Sequence, residues 1–191
     1  MKKDIILGGV GGQGILSIAA TIGMTALNMG MTIKQSEVHG MSQRGGDVMS
    51  NLRLSDGEIF SDLIPEGKAD MIIALEPMEA LRYLPMLSKD GWIISNSTPF
   101  KNIANYPDEN LIIAELKKQP NTIIIDGDNI AKDMGSVQSA NMVVLGAAAT
   151  RLGLPYEELE KAIRQMFGKK GEEVINLNIN ALKAGFEAAG K

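Results

Sequence analysis

A glycine-rich segment near the start of the chain has the composition of a phosphate or anion site. Five of the seven residues from Gly8 to Gly14 are glycine, and they join a short apolar run to an apolar helical pattern. Glycine lets the backbone turn sharply, and a helix that starts there directs its N-terminal amides toward the same place. The spacing Gly9-x-Gly11-x-x-Gly14 is that of a dinucleotide fingerprint. At Gly11 we expect a positive φ or a close approach of two backbones.

A second polar segment, Glu37–Gly46, contains the only histidine of the chain, His39, together with Arg44 and three glycines. It directly follows a predicted strand, as the glycine segment does, and α/β sheets bind ligands at the carboxyl ends of their strands. We therefore expect both segments to face one crevice. Arg44 could hold a phosphate or carboxylate and His39 could carry a proton, or both could simply fix the loop. Because no acid or nucleophile is paired with His39 in the sequence, no catalytic residue is assigned.

Two sets of carboxylates have both a binding and a structural interpretation. Glu37 lies about 20 residues beyond the glycines, where a dinucleotide fold places its ribose-binding acid. We favour the alternative, an exposed carboxylate at the end of a strand. The run Asp126-Gly127-Asp128-Asn129 could hold a metal or a hydroxyl, and we favour a turn or a helix N-cap. Asp62, Glu66 and Asp70 form no tight metal-binding pattern, so no metal ligand is assigned.

Apolar strands and helices must position these segments. The hydrophobic pattern predicts a β-α-β unit at the start, in which a helix over 15–29 buries Ile15, Ile18, Ala19, Ile22 and Leu27. Residues 48–54 alternate like a strand with one wet face, and Asp56-Gly57 predicts a hairpin turn to a return strand at 58–61. A strand is predicted at 31–36, and further buried strands are predicted at 5–7, 69–75, 91–96 and 121–126.

Helices dominate the last third of the predicted structure. Helical periodicity covers 136–151, 155–167 and 171–189, and a shorter helix begins at Pro77. Residues 98–119 have no clear pattern beyond a short strand or turn at 111–114. These elements predict an α/β fold: a mostly parallel, doubly wound, Rossmann-like sheet with an inserted antiparallel hairpin and a helical C-terminal third. At 191 residues the chain fits a single domain, 1–191.

The composition limits the classes of function. The net charge of −4 argues against a general nucleic-acid binder or an anionic-membrane binder, since such proteins are basic. The chain contains no cysteine, so it can form neither a disulfide, a thiolate nucleophile nor a cysteine-ligated iron–sulfur cluster. No apolar stretch approaches the roughly 20 residues of a membrane span or the length of a signal peptide. We therefore expect a cytoplasmic protein.

The two polar segments together resemble a known family. The sequences Gly9-Val10-Gly11-Gly12-Gln13-Gly14 and Ser36-Glu37-Val38-His39-Gly40-Met41-Ser42-Gln43-Arg44-Gly45-Gly46 resemble the gamma-type subunit of 2-oxoacid:ferredoxin oxidoreductases. The form of the second segment is most similar to the beta subunit of the indolepyruvate branch. Further similarity lies in Ser139–Gly146, in Leu152-Gly153-Leu154-Pro155 and in the final helix, so the resemblance covers essentially the whole chain in order.

The resemblance implies a role in a larger enzyme. Such complexes oxidatively decarboxylate a 2-oxoacid, form an acyl-coenzyme A and pass the electrons to ferredoxin. Thiamine diphosphate, Mg²⁺ and the [4Fe–4S] clusters belong to larger partner subunits, and the cofactor itself carries the thiamine chemistry. This chain is then an accessory subunit that is inactive alone, binds no cofactor by itself, meets ferredoxin only indirectly and could form a homodimer.

The resemblance also implies a set of contact residues whose role is either the acyl-acceptor side of the active site or the partner subunit. Two alternatives stay open: a free-standing dinucleotide-binding oxidoreductase, and an interaction module whose glycines serve only close packing. The implied contact residues are Gly9, Gly11, Gly12, Gln13, Gly14, Glu37, His39, Ser42, Gln43, Arg44, Gly45 and Gly46.

Overall fold

One six-stranded sheet forms the centre of the molecule. The computed structural model describes residues 1–40, 45–101 and 103–190. The strand order is β2-β3-β1-β4-β5-β6; β1, β4, β5 and β6 pair in parallel, whereas β3 runs antiparallel to both of its neighbours. The predicted fold class is confirmed. The strands are β1 (Lys2–Val10), β2 (Thr32–His39), β3 (Asp47–Ser55), β4 (Ala69–Ala74), β5 (Leu87–Asn96) and β6 (Thr122–Ile125).

Helices cover both faces of this sheet. A smaller core packs α2 and α3 against one face, whereas a larger core joins the other face to α1 and to the C-terminal helices. The result is a three-layer α/β/α arrangement. The helices are α1 (Ile15–Asn28), α2 (Pro77–Arg82), α3 (Glu109–Lys117), α4 (Gly127–Asp133), α5 (Ala140–Leu152), α6 (Tyr156–Phe167) and α7 (Glu172–Ala189). In the described residues, no helix is both long and apolar enough to cross a membrane.

The antiparallel hairpin is built from different strands than the sequence suggested. We expected the strand at 48–54 to turn at Asp56-Gly57 and pair with 58–61, and this prediction was wrong. Instead β3 pairs with β2 on one side and with β1 on the other, so it has no free edge for a further strand. Side chains hold the following segment: Arg53 donates to the carbonyls of Ser61 and Leu63, and Asn51 accepts from the amide of Ile64.

Two local predictions also fail for identifiable reasons. The region expected to be irregular contains α3, because Asp108 caps its N-terminus and Ile112 and Leu116 are buried one turn apart. On α1, Leu27 is 59% exposed and Ala26 is fully buried in its place. Since successive side chains lie about 100° apart around a helix, the predicted position lay one residue beyond the buried face.

The predicted C-terminal helices are confirmed, and α5 forms the centre of the larger core. Two glycines allow α5 and α7 to cross at backbone contact. A Cβ added at Gly146 would lie 1.9 Å from the carbonyl oxygen of Leu182, and one added at Gly185 would lie 1.8 Å from that of Val143. Only glycine fits at either position, so this crossing fixes how the helical layer stacks on the sheet.

Candidate functional site

The glycine segment forms the strand–loop–helix unit that was predicted. β1 ends at Val10 and α1 begins at Ile15, and the turn between them requires positive φ angles of 103° at Gly12 and 90° at Gly14. Gly14 is the N-cap of α1, which has no side-chain cap and no acidic residue in its first turn. The positive end of the helix dipole therefore faces this loop.

Gln13 holds the loop closed rather than pointing outward to a ligand. Its Oε1 accepts from the amide of Val10 at 2.8 Å, and its Nε2 donates to the carbonyl of Leu75 at 3.1 Å. Gly9 lies beneath this side chain, because a Cβ there would approach Gln13 Oε1 to 2.9 Å and Ile15 Cδ1 to 2.8 Å. Gly9 and Gln13, two of the predicted contact residues, therefore determine the shape of the loop through contacts within the fold.

Gly11 does not have a positive φ, and its backbone instead lies against that of the second polar segment. Its amide donates to the carbonyl of Gly46 at 2.8 Å, and its carbonyl lies 3.5 Å from the amide of Gly45. The second polar segment therefore continues the β1–β3 ladder and closes on the glycine loop. The predictions for Ser42, Gln43 and Arg44 lie outside the described residues.

The two segments enclose one cavity, as the sequence analysis expected. This cavity, which we call the glycine crevice, has a volume of about 320 Å³. It is lined by three glycines, by mostly apolar side chains, and by one carboxylate and one imidazole. The lining residues are Val10, Gly11, Gly12, Gly14, Ile15, Leu16, Glu37, His39 and Val48.

Glu37 and His39 contact each other in the glycine crevice. They lie two residues apart on β2 and so share one face of the strand, where His39 Nε2 contacts Glu37 Oε1. The other carboxylate oxygen, Oε2, is buried and has no hydrogen-bond partner among the described residues. Our expectation of an exposed strand-end carboxylate was wrong, since the Glu37 side chain is 13% exposed. The acid that the sequence did not reveal beside His39 is therefore Glu37.

The geometry departs from that of a dinucleotide fold in one respect. In that fold the strand that carries the ribose-binding acid lies next to the strand that precedes the glycines. Here β3 lies between them, so Glu37 is two strand spacings, about 10 Å, from β1. In addition, the amide of Gly11 is occupied by Gly46.

A second polar group lies on the other side of the glycine loop. Asn96, at the end of β5, donates to Asp128 at 2.6 Å and accepts from the amide of Gly127 at 3.0 Å. Asn141 donates to the carbonyl of Gly14 at 3.2 Å. With Gln13 they line a cavity of about 150 Å³, and the hydrogen bonds of Asn96 and Asn141 are made within the fold. The sequence signal for Asn96 was its place at the end of a buried strand.

One acidic prediction is confirmed at this edge of the sheet. Asp126 is the N-cap of α4 and accepts from the amide of Asn129 at 3.2 Å, which confirms the N-cap interpretation. In the parts of the chain that the structure describes, no group of three or more His, Cys, Asp or Glu side chains converges as a metal site would require.

Buried carboxylates on α2, which the sequence analysis did not single out, approach β1 from the opposite face. Burial raises the pKa of Glu79, and a hydrogen bond from Arg82 at 2.9 Å opposes that shift. Burial also raises the pKa of Tyr83, whose ring packs on Gly8 and leaves no room for a Cβ there. Glu76 caps α2 and accepts from the hydroxyl of Tyr106. These contacts fasten α2 beneath the glycine loop.

Fold and site together define a doubly wound α/β domain whose glycine loop is closed by an inserted hairpin. A profile of the pyruvate ferredoxin/flavodoxin oxidoreductase family matches residues 4–188. The chain belongs to this family.

Relatives and solved structures agree with this assignment. The chain is 39% identical to the indolepyruvate oxidoreductase subunit IorB of Archaeoglobus fulgidus, over 99% of this chain and 96% of that protein. The gamma subunit of a keto/oxoacid ferredoxin oxidoreductase from Geobacter sulfurreducens is 26% identical, with a TM-score of 0.70 over 98% of each chain. The 2-oxoglutarate:ferredoxin oxidoreductase of Magnetococcus marinus shares the fold at 23% identity, with a TM-score of 0.78 over 99% of this chain and 31% of that one.

Proposed function

We propose that this chain is the small accessory subunit of an indolepyruvate-type 2-oxoacid:ferredoxin oxidoreductase. The observation that carries the proposal is the full-length similarity to a protein named as a subunit of an indolepyruvate oxidoreductase. The reaction of the assembled enzyme is the oxidative decarboxylation of a 2-oxoacid to an acyl-coenzyme A, with electrons passed to ferredoxin. The whole chain then acts as one gamma-type domain, in the cytoplasm as the sequence predicted.

The side chains of this subunit do not fit the metal groups of such an enzyme. The chain has no cysteine to ligate an iron–sulfur cluster, and among the described residues no group of three or more His, Cys, Asp or Glu side chains converges to hold a metal ion. We therefore assign thiamine diphosphate, Mg²⁺ and the clusters to partner subunits. No step of the oxidation is derived through residues of this chain.

The contribution of this chain is a preformed surface at the carboxyl edge of its sheet. Contacts within the fold fix the glycine crevice before any partner docks. They are the two hydrogen bonds of the Gln13 side chain, the backbone hydrogen bond between Gly11 and Gly46, and the contact between Glu37 and His39. Preorganisation of this kind reduces the ordering cost of binding. We propose that this surface contacts either the acyl-acceptor side of the active site or the partner subunit. The relative from Magnetococcus marinus, whose structure contains coenzyme A and succinyl-coenzyme A, supports coenzyme A as the acceptor of the complex.

The test is a pull-down of the tagged chain from its own cells under anaerobic conditions. We expect a larger subunit to co-purify, together with thiamine diphosphate and iron, and the complex to reduce ferredoxin with indolepyruvate and coenzyme A. Pyruvate and 2-oxoglutarate serve as comparison substrates. A chain that arrives alone and retains a dinucleotide would overturn the proposal in favour of a free-standing oxidoreductase.

A further inference from the structure

The outer face of α1 differs from the exposed faces of the other helices. Among the seven α-helices described, α1 alone contains no Asp, Glu, Lys or Arg. Leu16 and Leu27 are 55% and 59% exposed, and exposed Ala20 and partly buried Met24 lie between them. At spacings of four, four and three residues, these side chains form one continuous row, which we call the α1 stripe.

The packing of α1 shows that no part of the described chain covers this row. Ile15, Ile18 and Ile22 face the sheet and are buried. The flank toward α6 is marked by Thr25, which lies 3.5 Å from the carbonyl of Glu158, and by Asn28, which donates to Gln165. The α1 stripe lies outside both of these contact faces, and an uncharged, largely aliphatic row of this kind is typical of the core of a protein–protein interface.

The α1 stripe is continuous with the glycine crevice, because Leu16 belongs to both. Glu37 also lines the crevice, and its Oε2 is buried without a hydrogen-bond partner among the described residues. Buried carboxylate oxygens in folded proteins are almost always paired, so this oxygen calls for a donor from outside the described chain. The surface thus combines an apolar row with one anionic socket.

We propose that the α1 stripe and the glycine crevice form one docking surface for the larger subunit of the complex. That subunit lays an aliphatic face on the α1 stripe and places a lysine or arginine side chain against Glu37 Oε2. This proposal rests on the proposed function, since it takes the existence of a larger subunit from there. Charge complementarity selects the basic side chain, because among the described residues Glu37 Oε1 contacts His39 and Glu37 Oε2 has no hydrogen-bond partner.

A second copy of this chain does not meet the same requirements. Packed stripe on stripe about a two-fold axis, it would present another α1, which carries no basic side chain for Glu37. The α1 stripe runs over eleven residue steps, which is about 17 Å. A stable interface buries about 800 Å² on each partner, and two such stripes packed together would bury far less than that. A larger partner that also enters the crevice meets both requirements.

The experiment measures binding of the larger subunit, obtained from the pull-down above, to variants of this chain. Ala20→Glu places a charge in the α1 stripe, and Ala188→Glu places the same charge on an exposed position of α7 as the matched control. We expect Ala20→Glu to weaken the dissociation constant at least about tenfold and Ala188→Glu to leave it unchanged. Glu37→Gln should also weaken binding at least about tenfold, whereas Glu58→Gln, at an exposed site, should not.

Hydrogen exchange on the unmodified complex provides a readout that does not depend on variant folding. We expect amides of residues 16–27 to gain protection when the larger subunit is added. Equal affinities for Ala20→Glu and the parent chain, or no added protection over 16–27, would overturn the docking surface. If the parent chain captures no larger subunit at all, the proposed function fails instead, so the two failures are distinguishable.

Discussion

Gly12 and Gly14 share a positive φ but differ in their surroundings. A Cβ at Gly12 would meet nothing within 4 Å, whereas one at Gly14 would lie 2.4 Å from Asn141 Nδ2. We expect Gly12→Ala to lower the free energy of unfolding by about 1 kcal/mol through backbone strain alone. Gly14→Ala should cost about 2–4 kcal/mol, because Asn141 must also move. Urea unfolding of both variants measures the difference, and equal losses would show that the packing of Asn141 on the loop is unimportant.

The pH dependence of stability has a residue-scale origin at Asp4. Burial favours the neutral acid, but hydrogen bonds from Arg53, at 2.8 and 3.0 Å, and from Lys2 hold the pKa of Asp4 below its ordinary value. A carboxyl group with a lowered folded-state pKa stabilises the fold above its unfolded pKa of about 3.9, and that contribution is lost as the pH falls through the folded value.

We therefore expect Asp4→Asn to lower the free energy of unfolding at pH 7 by about 2–4 kcal/mol, since it leaves Arg53 without its counter-charge. The variant should also lose less stability than the parent as the pH falls below about 4. Urea unfolding at several pH values checks both points, with exposed Asp62→Asn as the control. Glu79, whose pKa burial raises, contributes the opposite slope in parent and variant alike and so cancels in the comparison. Parallel pH profiles would contradict this role of Asp4.

At the residue scale, the sequence indicated the crevice but not the roles within it. Glycine content and the strand–helix pattern were enough to place the loop and to bring Glu37 and His39 toward it. Their pairing depends on both side chains sharing one face of β2 under the N-terminus of α1, which is a tertiary arrangement. Gln13 was predicted as a contact residue, yet its amide is used for two hydrogen bonds within the fold.

The crossing of α5 and α7 is the tightest contact between elements. Gly146→Ala and Gly185→Ala should each lower the free energy of unfolding by about 3 kcal/mol or more, since the new methyl would overlap a backbone carbonyl. Gly23→Ala is the matched control within α1, where a Cβ meets only Ile33 at 3.8 Å. It should stabilise by about 0.5–1 kcal/mol, as expected for alanine in a helix interior. Urea midpoints with unchanged m values test the series, and losses at Gly146 as small as 1 kcal/mol would contradict a rigid crossing.

Elements with strong apolar patterns were predicted well. Two features were not: the pairing of β3, which depends on strands distant in sequence, and α3, whose apolar pattern is weak. The strands predicted at 5–7, 31–36, 69–75, 91–96 and 121–126 and the three C-terminal helices follow from local periodicity. The partner of β3 does not, because a turn signal at Asp56-Gly57 cannot reveal that β1 and β2 already occupy both edges of that strand. In α3, the cap at Asp108 and two buried aliphatic residues produce a helix where the pattern was too weak to show one.

At the scale of the whole molecule, the position of β3 decides between two binding modes. With β3 between β1 and β2, the crevice lacks the adjacent acid strand of a dinucleotide fold. We expect NADH titrated into the isolated chain to show no saturable fluorescence change below about 1 mM. A dissociation constant in the micromolar range would contradict this expectation and support the dinucleotide alternative.

Addition of the larger subunit should raise the melting temperature, since it binds only the folded chain.

The overall architecture was predictable, whereas the strand order was not. Alternating strands and helices specify an α/β sheet, and the composition excludes cysteine chemistry within this chain. The insertion of a later strand between two earlier ones leaves no local mark, because parallel and antiparallel neighbours present similar apolar faces in a buried sheet.

The ladder between Gly11 and Gly46 makes the glycine loop part of a larger cooperative unit. A surface loop ordinarily opens by itself, and its amides exchange with solvent quickly. Here the amide of Gly11 becomes accessible only when the adjacent end of the β1–β3 ladder opens, because its acceptor, Gly46, lies in the turn between β2 and β3, one residue before Asp47. Opening of the loop is therefore coupled to opening of that end of the ladder, and during folding the loop reaches its final shape only after a strand distant in sequence has joined the sheet.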